Sequence, residues 1–293
     1  MGKSDSLSVF SYTALALIAF AANSILCRIA LHDGAIDAAS FSTIRLIAGA
    51  ATLVLVSAAS PRQASLVEGS WTSAAMLFLY AVPFSFAYTL LSVGTGALIL
   101  FGCVQITMMA AALRSGERPP LLQWLGLSVA FGGLVYLVLP GLEAPSFAGA
   151  ALMALAGFAW GVYSLRGRGA ADPLIQTTSN FVRSVPFALV ISLAWLPRFS
   201  AQRHGILLAV ASGAVASGLG YVVWYRALRG LTAVRAAVVQ LFVPILAGLG
   251  GVIFLAEEIS VRLVLATILV LGGIAVALYA REAKKSIPSL QRS

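Results

Sequence analysis

Long apolar stretches alternate with short polar connections along the whole sequence. Ten of these stretches reach about 20 residues, the length that an α-helix needs to cross the hydrocarbon core of a bilayer. We therefore predict an all-α integral membrane protein with ten transmembrane helices. The predicted helices cover residues 10–31, 37–58, 72–92, 94–113, 121–139, 146–165, 174–195, 206–226, 232–254 and 261–280.

Polar landmarks of the first five predicted helices recur in the last five, in the same order. The matched pairs are Arg45 and Arg183, Gln105 and Gln240, and Glu117 and Glu257, at offsets of 138, 135 and 140 residues. Self-similarity of this kind indicates repeated structural units. We predict that residues 1–141 form one five-helix repeat and residues 142–293 the other, within one integrated membrane domain.

The Lys and Arg residues of the short loops predict the orientation in the membrane. With the N-terminus in the cytoplasm, twelve of them fall on the cytoplasmic side and only three or four on the other side. Both termini are therefore predicted to be cytoplasmic. Because each repeat holds an odd number of helices, the second repeat enters the membrane in the opposite sense. Inverted repeats around a central cavity are typical of transporters.

Composition also identifies lipid as the solvent. Hydrophobic residues make up 60% of the chain and charged residues 10%, against roughly half and one quarter in soluble domains. The net charge of +9 comes from basic residues scattered through the connections, so we expect no nucleic-acid partner. His32 and His204 both lie in loops, and no intramembrane catalytic or metal-binding motif occurs. We expect no enzymatic activity, metal or cofactor.

Ionisable groups inside hydrocarbon are costly and are therefore functional candidates. Arg45 and Arg183 each lie about eight residues into a predicted helix. They could bind a substrate carboxylate and tune the cavity or its gates, or they could satisfy backbone carbonyls at the mouth of a water-filled cavity. None of the ten Asp and Glu residues falls in the middle of a span. Since proton-driven pumps commonly use such carboxylates, facilitated transport or exchange is the simpler expectation.

Amide and aromatic side chains supply the remaining site candidates. The uncharged polar groups at membrane depth are Asn23, Gln105, Asn180 and Gln240. Gln105 and Gln240 are expected either in a substrate site at the midplane or in hydrogen bonds between helices. Tyr80, Trp160 and Tyr163 are expected to line the cavity and to stack on a flat or cationic solute.

Other features of the spans predict the surroundings of that cavity. Tyr221, Trp224 and Tyr225, beside Arg226, are expected to form an interfacial aromatic belt. Prolines are expected to interrupt three helices and to act as hinges or unwound segments; they are Pro83, Pro186 and Pro244. Predicted helices 5 and 10 carry almost no polar groups. They should lie at the periphery, facing lipid or a second subunit, so we expect a monomer or a homodimer formed through them.

Three features together resemble the drug/metabolite transporter superfamily, EamA type. They are the ten helices in a five-plus-five arrangement, the stretch Thr95-Gly96-Ala97 before Gln105, and the run QLFVP at 240–244 followed by Glu257. The resemblance implies a central cavity lined by helices 1–4 and 6–9, with helices 5 and 10 outside. The size and layout are similar to the branch that exports aromatic amino acids. One departure is Met109, which stands in the first repeat where Pro244 stands in the second.

We therefore expect a secondary transporter that exports amino acids, aromatic and other large neutral ones, or related metabolites. It would cross the cell inner membrane as a multi-pass protein and work by alternating access. Gln105 and Gln240 would hold the polar groups of the solute, and Tyr80 and Trp160 would contact its side chain. The alternatives are a carrier of another small solute, such as a nucleotide sugar, a nucleoside or a cationic drug, and a channel.

Overall fold

A computed structural model describes residues 3–59, 69–114, 116, 120–141, 144–167, 170–231 and 233–286. This part of the chain is helical, with one isolated β-bridge between Ile36 and Ala201. Ten of its helices are long and apolar enough to cross a membrane. The predicted all-α fold class and the number of spans are therefore confirmed.

The ten spans agree closely with the predicted ones, although α1 begins several residues earlier. They are α1 (Lys3–His32), α2 (Ala38–Ala58), α3 (Trp71–Tyr88), α4 (Val93–Arg114), α5 (Leu121–Val138), α6 (Phe147–Arg166), α7 (Pro173–Trp195), α8 (Arg203–Leu228), α9 (Ala233–Gln240 and Phe242–Leu255) and α10 (Val261–Ser286). The inverted sense of the repeats, their boundary after residue 141 and the side of the termini stay predictions. Glu117, one of the landmarks of the repeat, lies outside the described residues.

Polar residues between the apolar stretches fix where several helices begin. The Asp37 carboxylate accepts hydrogen bonds from the backbone N–H groups of Ala39 and Ser40 at the start of α2. Asp172 caps α7 in the same way, and Pro173 occupies the first helical position. These side chains satisfy N–H groups that have no partner inside the helix, and proline is favoured at the first position because its missing N–H costs nothing there.

Two spans depart from regular α-helix near the centre of the protein. The middle of α8, Ser212–Leu219, is π-helical between two α-helical parts. The span α9 breaks at Leu241. Pro244 explains this break, because proline has no N–H to donate to the carbonyl four residues earlier. The interruption expected at Pro244 is confirmed. The interruptions expected at Pro83 and Pro186 are wrong, since α3 and α7 continue through both prolines.

The helices α5 and α10 pack on each other at the periphery. Their contact depends on glycine, because a Cβ on Gly126 would meet the carbonyl oxygen of Gly273, and a Cβ on Gly273 would meet that of Gly126. Close backbone approach through small residues is a common way for helices to associate in lipid. Their other faces expose large apolar side chains such as Phe131 and Ile268. A homodimer through α5 and α10 stays a prediction.

Candidate substrate-binding site

Two cavities lie between the spans and share part of their walls. The larger, which we call the vestibule, has a volume of about 340 Å³ and is lined by α4 and α6–α9. The smaller, which we call the inner chamber, measures about 20 Å³, enough for roughly one water molecule. Trp160, Tyr221 and Gln240 line both cavities, and we call these three side chains the partition.

The helices that line the cavities are those expected from the sequence. The inner chamber adds α1, α2 and α3 to the walls, through Asn23, Arg45 and Tyr80 among others. In the described part of the chain, α5 and α10 contribute to neither cavity. Helices α1–α4 and α6–α9 therefore surround the cavities, as the resemblance implies. That the solute passes through these cavities stays a prediction.

The vestibule opens toward one face of the membrane. Its walls include Gly167, Ala170 and Pro173, where α6 ends and α7 begins. They also include Leu228 near the end of α8 and Ala236 near the start of α9. All these positions belong to the face on which the α6–α7 connection lies, which we call the open face. The loop charges predict that this face is cytoplasmic.

Arg45 is the only basic side chain in the wall of the inner chamber among the described residues. It is 2% exposed. Its Nη2 donates to the Tyr80 hydroxyl at 3.1 Å and its Nε to the Ser217 hydroxyl at 3.3 Å. The guanidinium carbon also lies 5.1 Å from the ring centre of Tyr80 and 5.0 Å from that of Phe84. These contacts hold the guanidinium in one orientation, with cation–π attraction from both rings.

A hydrogen-bond network connects Arg45 to α1, α3 and the π-helical part of α8. Asn23 donates from Nδ2 to the Tyr80 hydroxyl at 3.3 Å, and its Oδ1 accepts from the Ser212 hydroxyl at 2.7 Å. Gly213 lets the helices approach, because a Cβ there would collide with the Arg45 carbonyl oxygen. The π-helical segment thus brings two serines to the arginine network. Such segments occur frequently at functional sites.

One polar atom of this network has no partner. Arg45 Nη1 is buried and, alone among the buried side-chain nitrogen and oxygen atoms of the described residues, makes no hydrogen bond. No Asp or Glu lies in the described lining of either cavity. Arg45 therefore carries a positive charge for which the described residues supply no ion-pair partner. A buried donor left without a partner typically costs about 1–3 kcal/mol, and more when it is charged.

Aromatic rings form most of the remaining wall. Trp160 stacks on Tyr163 with ring centres 5.5 Å apart and on Tyr221 at 5.3 Å. It also contacts Tyr80 of the inner chamber at 4.9 Å. Tyr80 lines the inner chamber, Tyr163 the vestibule and Trp160 both. Their contact with a solute stays a prediction.

The interfacial belt expected on α8 is wrong. Tyr221 and Trp224 are 4% and 7% exposed, and both line the vestibule together with Tyr225. These rings form a helical stripe that ends beside Arg226, and a stripe of that kind looks the same in the sequence whether it faces headgroups or a cavity.

Gln105 and Gln240 both line the vestibule, and their role in a substrate site stays a prediction. The Gln105 side chain makes no hydrogen bond to another described residue, and because it lines the vestibule its amide is not among the fully enclosed polar atoms. Gln240 donates from Nε2 to the carbonyl of Ala236 in its own helix at 3.3 Å. Its amide oxygen makes no bond within the described part of the chain. Both amides therefore have hydrogen-bonding capacity available to a solute.

Two predicted candidates lie elsewhere. The Asn180 side chain accepts from the backbone N–H of Ser70 at 3.0 Å, next to the start of α3. Arg183 lies over the ring of Trp71, with 5.8 Å from the guanidinium carbon to the ring centre. Neither residue is part of the described lining of the vestibule or the inner chamber. Arg45 and Arg183, which match in the sequence, are therefore not brought together in one site.

An ion pair closes the opposite face, where the α1–α2 connection lies. Arg28 at the end of α1 donates from Nε to Glu257 after α9 at 3.2 Å, and both side chains are 15% exposed. Arg28 also donates to the carbonyl of Tyr88 at 2.8 Å. Glu257 accepts from the backbone N–H of Val93 at 2.8 Å. These bonds join α1, the end of α3, the start of α4 and the end of α9.

The backbone around Glu257 is shaped to hold its carboxylate. Ala256 has a left-handed conformation with φ of 51°, which is uncommon for a residue with a side chain. A Cβ on Gly251 would collide with the Glu257 carboxylate. On the same face, the Asp37 N–H donates to the carbonyl of Ser200 at 2.8 Å and so joins the α1–α2 and α7–α8 connections.

Sequence reasoning did not predict the pairing of Arg28 with Glu257 or the roles of Ser217, Phe84 and Tyr221. The pairing had a signal, because the two opposite charges lie at helix ends that are predicted to share one face. For Ser217 and Phe84 no signal was available, since their proximity to Arg45 depends on the π-helical turn of α8 and on how α2 packs against α3.

This arrangement, in which eight of the ten apolar spans surround cavities that are open toward one face and closed toward the other, is that of a membrane transporter of small solutes. Residues 147–279 match the EamA-like transporter family. An uncharacterized protein of Pseudomonas aeruginosa is 51% identical over 269 residues, which are 92% of this chain and 94% of that protein. The chain belongs to the EamA-like transporter family and is a multi-pass membrane protein, consistent with the expected inner membrane of a bacterial cell.

More distant relatives agree with this assignment. The uncharacterized transporter YoaV of Bacillus subtilis is 20% identical over 84% of this chain and 88% of its own length. An uncharacterized transporter of Archaeoglobus fulgidus is 27% identical over 67% of this chain and 71% of its own. A solved crystal structure, 20% identical, covers 96% of this chain and 100% of that chain with a TM-score of 0.63, and shares its fold. These relatives point to transport rather than catalysis.

Proposed function

We propose that this protein is a secondary transporter that exports amino acids, aromatic and other large neutral ones, or related metabolites by alternating access. The observation that carries the proposal is the vestibule, whose volume of about 340 Å³ falls within the usual range for small-molecule sites. Its aromatic rings suit a flat apolar side chain, and its two glutamines suit the polar groups at the other end of an amino acid.

In such a cycle, a protein with the vestibule open and the opposite face closed would be in the loading state. A solute enters from the open face and packs its side chain against Trp160, Tyr163 and Tyr225. Gln105 and Gln240 then hydrogen-bond polar groups of the solute. Release on the other side requires the partition to move and the Arg28–Glu257 pair to separate, while the vestibule closes at the open face.

The composition of the cavities favours exchange or facilitated transport. Among the described residues, no Asp or Glu lines either cavity. Proton relays and sodium sites in membranes typically use carboxylates. The same observation disfavours a cationic drug as the solute, because the charge that the cavities offer is the positive one of Arg45.

Counterflow in proteoliposomes tests this proposal. Vesicles that contain the purified protein are loaded with one unlabelled amino acid, and uptake of a labelled panel is followed with and without a pH gradient. The panel contains phenylalanine, tryptophan, leucine, a nucleoside and a cationic dye, and protein-free vesicles serve as the control. The proposal predicts saturable counterflow of the aromatic amino acids that is indifferent to the gradient. Counterflow of the nucleoside or the dye alone, or uptake that does not saturate, contradicts it.

A further inference from the structure

We propose that Arg45 is the anchor for a carboxylate group of the transported solute, which would bind in the inner chamber to Arg45 Nη1 and the Tyr80 hydroxyl. The transported solutes are then carboxylates with an apolar or aromatic body. This inference rests on the proposed transport function and narrows its substrate class.

Arg45 carries a buried positive charge. Arg45 lies seven residues into α2, about 10 Å from the start of the helix at 1.5 Å per residue, and 2% of it is exposed. Arginine stays protonated in proteins. A buried charge normally has an ion-pair partner, and the described residues supply none for Arg45. An anion that arrives with the solute would neutralise this charge in each transport cycle.

Two hydrogen-bond donors of the Arg45–Tyr80 pair remain free. Ser217 and Tyr80 occupy Nε and Nη2, whereas Nη1 is buried without a partner. The Tyr80 oxygen accepts from both Asn23 and Arg45. Since a phenol oxygen has two lone pairs, its own proton remains to be donated. Arg45 and Tyr80 both line the inner chamber, so a carboxylate that enters the chamber would lie beside the residues that carry these two donors.

The guanidinium of Arg45 is held in a fixed orientation before any solute binds. The rings of Tyr80 and Phe84 lie about equally far from the guanidinium carbon, at 5.1 and 5.0 Å. Together with the Ser217 bond they hold the planar guanidinium in place. Planar arginine is well matched to carboxylates, and a fixed orientation reduces the entropy that is lost on binding. A lysine would carry the same charge without this geometry.

A solute carboxylate could reach Arg45 from the vestibule through the partition. The inner chamber at about 20 Å³ has no room for a whole amino acid. However, the three partition side chains line it and the vestibule alike. Movement of Gln240 or Trp160 would let a carboxylate reach Arg45 while the body of the solute stays among the vestibule rings. Binding would thus displace the partition that separates the open face from the closed one.

Competition binding on the purified, full-length protein tests the proposal. Labelled L-phenylalanine is competed with L-phenylalaninamide and phenethylamine, which lack the carboxylate, and with 3-phenylpropanoate, which lacks only the amino group. We expect 3-phenylpropanoate to compete, and both amines to be weaker than L-phenylalanine by roughly 10- to 150-fold, the factor for one lost hydrogen bond to a charged group. If either amine competes as well as L-phenylalanine, the proposal is overturned.

Variants show whether Arg45 is the cause of this preference. In Arg45→Gln the preference for acids over amines should disappear, and Arg45→Lys should restore it in part. Arg198→Gln removes an exposed charge beside Trp195 and should leave the preference unchanged. Should Arg45→Gln fail to give a monodisperse protein, Tyr80→Phe removes one donor and should weaken binding of acids but not of amines. An unchanged preference in a folded Arg45→Gln protein overturns the proposal.

The binding and counterflow experiments together separate this inference from the proposed function. If no amino acid binds but labelled 3-phenylpropanoate binds in an Arg45-dependent manner, amino-acid transport is wrong and the carboxylate anchor stands. If amino acids are transported and their amides are transported equally well, the proposed function stands and the anchor is wrong.

Discussion

Replacing Glu257 by glutamine should shift the protein toward the state that is open on the α1–α2 face. Glu257 joins two partners across the closed face, the Arg28 side chain and the Val93 N–H. Glutamine has almost the same size and can still accept hydrogen bonds, so the substitution removes the charge and little else. In an alternating-access cycle these contacts exist only while that face is closed, and weakening them favours the opposite state.

The magnitude follows from the two hydrogen bonds. A hydrogen bond to a charged group contributes about 1.5–3 kcal/mol, and a neutral one contributes about 1 kcal/mol. Because both side chains of the pair are only 15% exposed, solvent screening reduces this difference little. Loss of charge from two bonds therefore destabilises the closed face by about 1–4 kcal/mol, which changes the equilibrium between the two states about 5- to 1,000-fold.

Thiol labelling at Ser24 measures this shift. Ser24 lines the inner chamber one helical turn before Arg28, on the same face of α1. The two free cysteines, Cys27 and Cys103, are replaced by alanine, and Ser24→Cys is introduced with and without Glu257→Gln. A membrane-impermeant maleimide is added from the α1–α2 face. Its reaction rate should rise by the factor given above, because the rate follows the population that is open on this face.

The neighbouring Glu258 supplies the matched control, since it is exposed and Glu258→Gln makes the same chemical change. Equal labelling rates in Glu257→Gln and Glu258→Gln would refute the reasoning. So would an increase seen only when the reagent is added from the open face.

Three further substitutions test other parts of the structure. Trp160→Ala removes the largest side chain of the partition, so labelling of Ser24→Cys from the open face should become at least several-fold faster than with Trp160 present. Gly126→Ala places a Cβ against backbone atoms of α10 and should lower the melting temperature by several degrees, as overpacking commonly costs about 1–3 kcal/mol. Gly132→Ala, in the same helix and with open space around it, should leave the melting temperature unchanged or raise it. Gln105→Leu should raise the KM for counterflow about tenfold, the effect of one lost hydrogen bond of about 1.4 kcal/mol, and an unchanged KM would remove Gln105 from the site.

Most of the fold was predictable because a membrane imposes simple rules. A span must be about 20 residues long and apolar, so ten stretches predict ten helices, and capping residues such as Asp37 and Asp172 mark where two of them begin. The two spans that depart from regular α-helix were harder to predict. Pro244 signals the break at Leu241, but Pro83 and Pro186 lie in unbroken helices. A neighbouring helix can compensate for a proline inside a span, and the sequence does not show which proline has such a neighbour.

The candidate site was predictable only in part. Buried amides and arginines are conspicuous in an apolar span, and the candidates Asn23, Arg45, Gln105 and Gln240 all line one or both cavities. Their contact with a solute stays a prediction. Asn180 is an equally conspicuous buried amide, but its side chain accepts a hydrogen bond from the backbone N–H of Ser70 and is not part of the described lining of either cavity. The difference lies in the rotation of each helix about its axis, which depends on the packing of small residues between neighbouring spans. Periodicity within one helix does not determine that rotation.

The central claim is that solute crosses through the vestibule, and protection of a single thiol there tests it most directly. Ser164 lines the vestibule on α6 and is replaced by cysteine in the protein without Cys27 and Cys103. Maleimide is then added from the open face, with and without saturating L-phenylalanine. The account predicts that L-phenylalanine slows the labelling severalfold and that complete labelling abolishes counterflow. Complete labelling with undiminished counterflow would place the path elsewhere and would contradict the account.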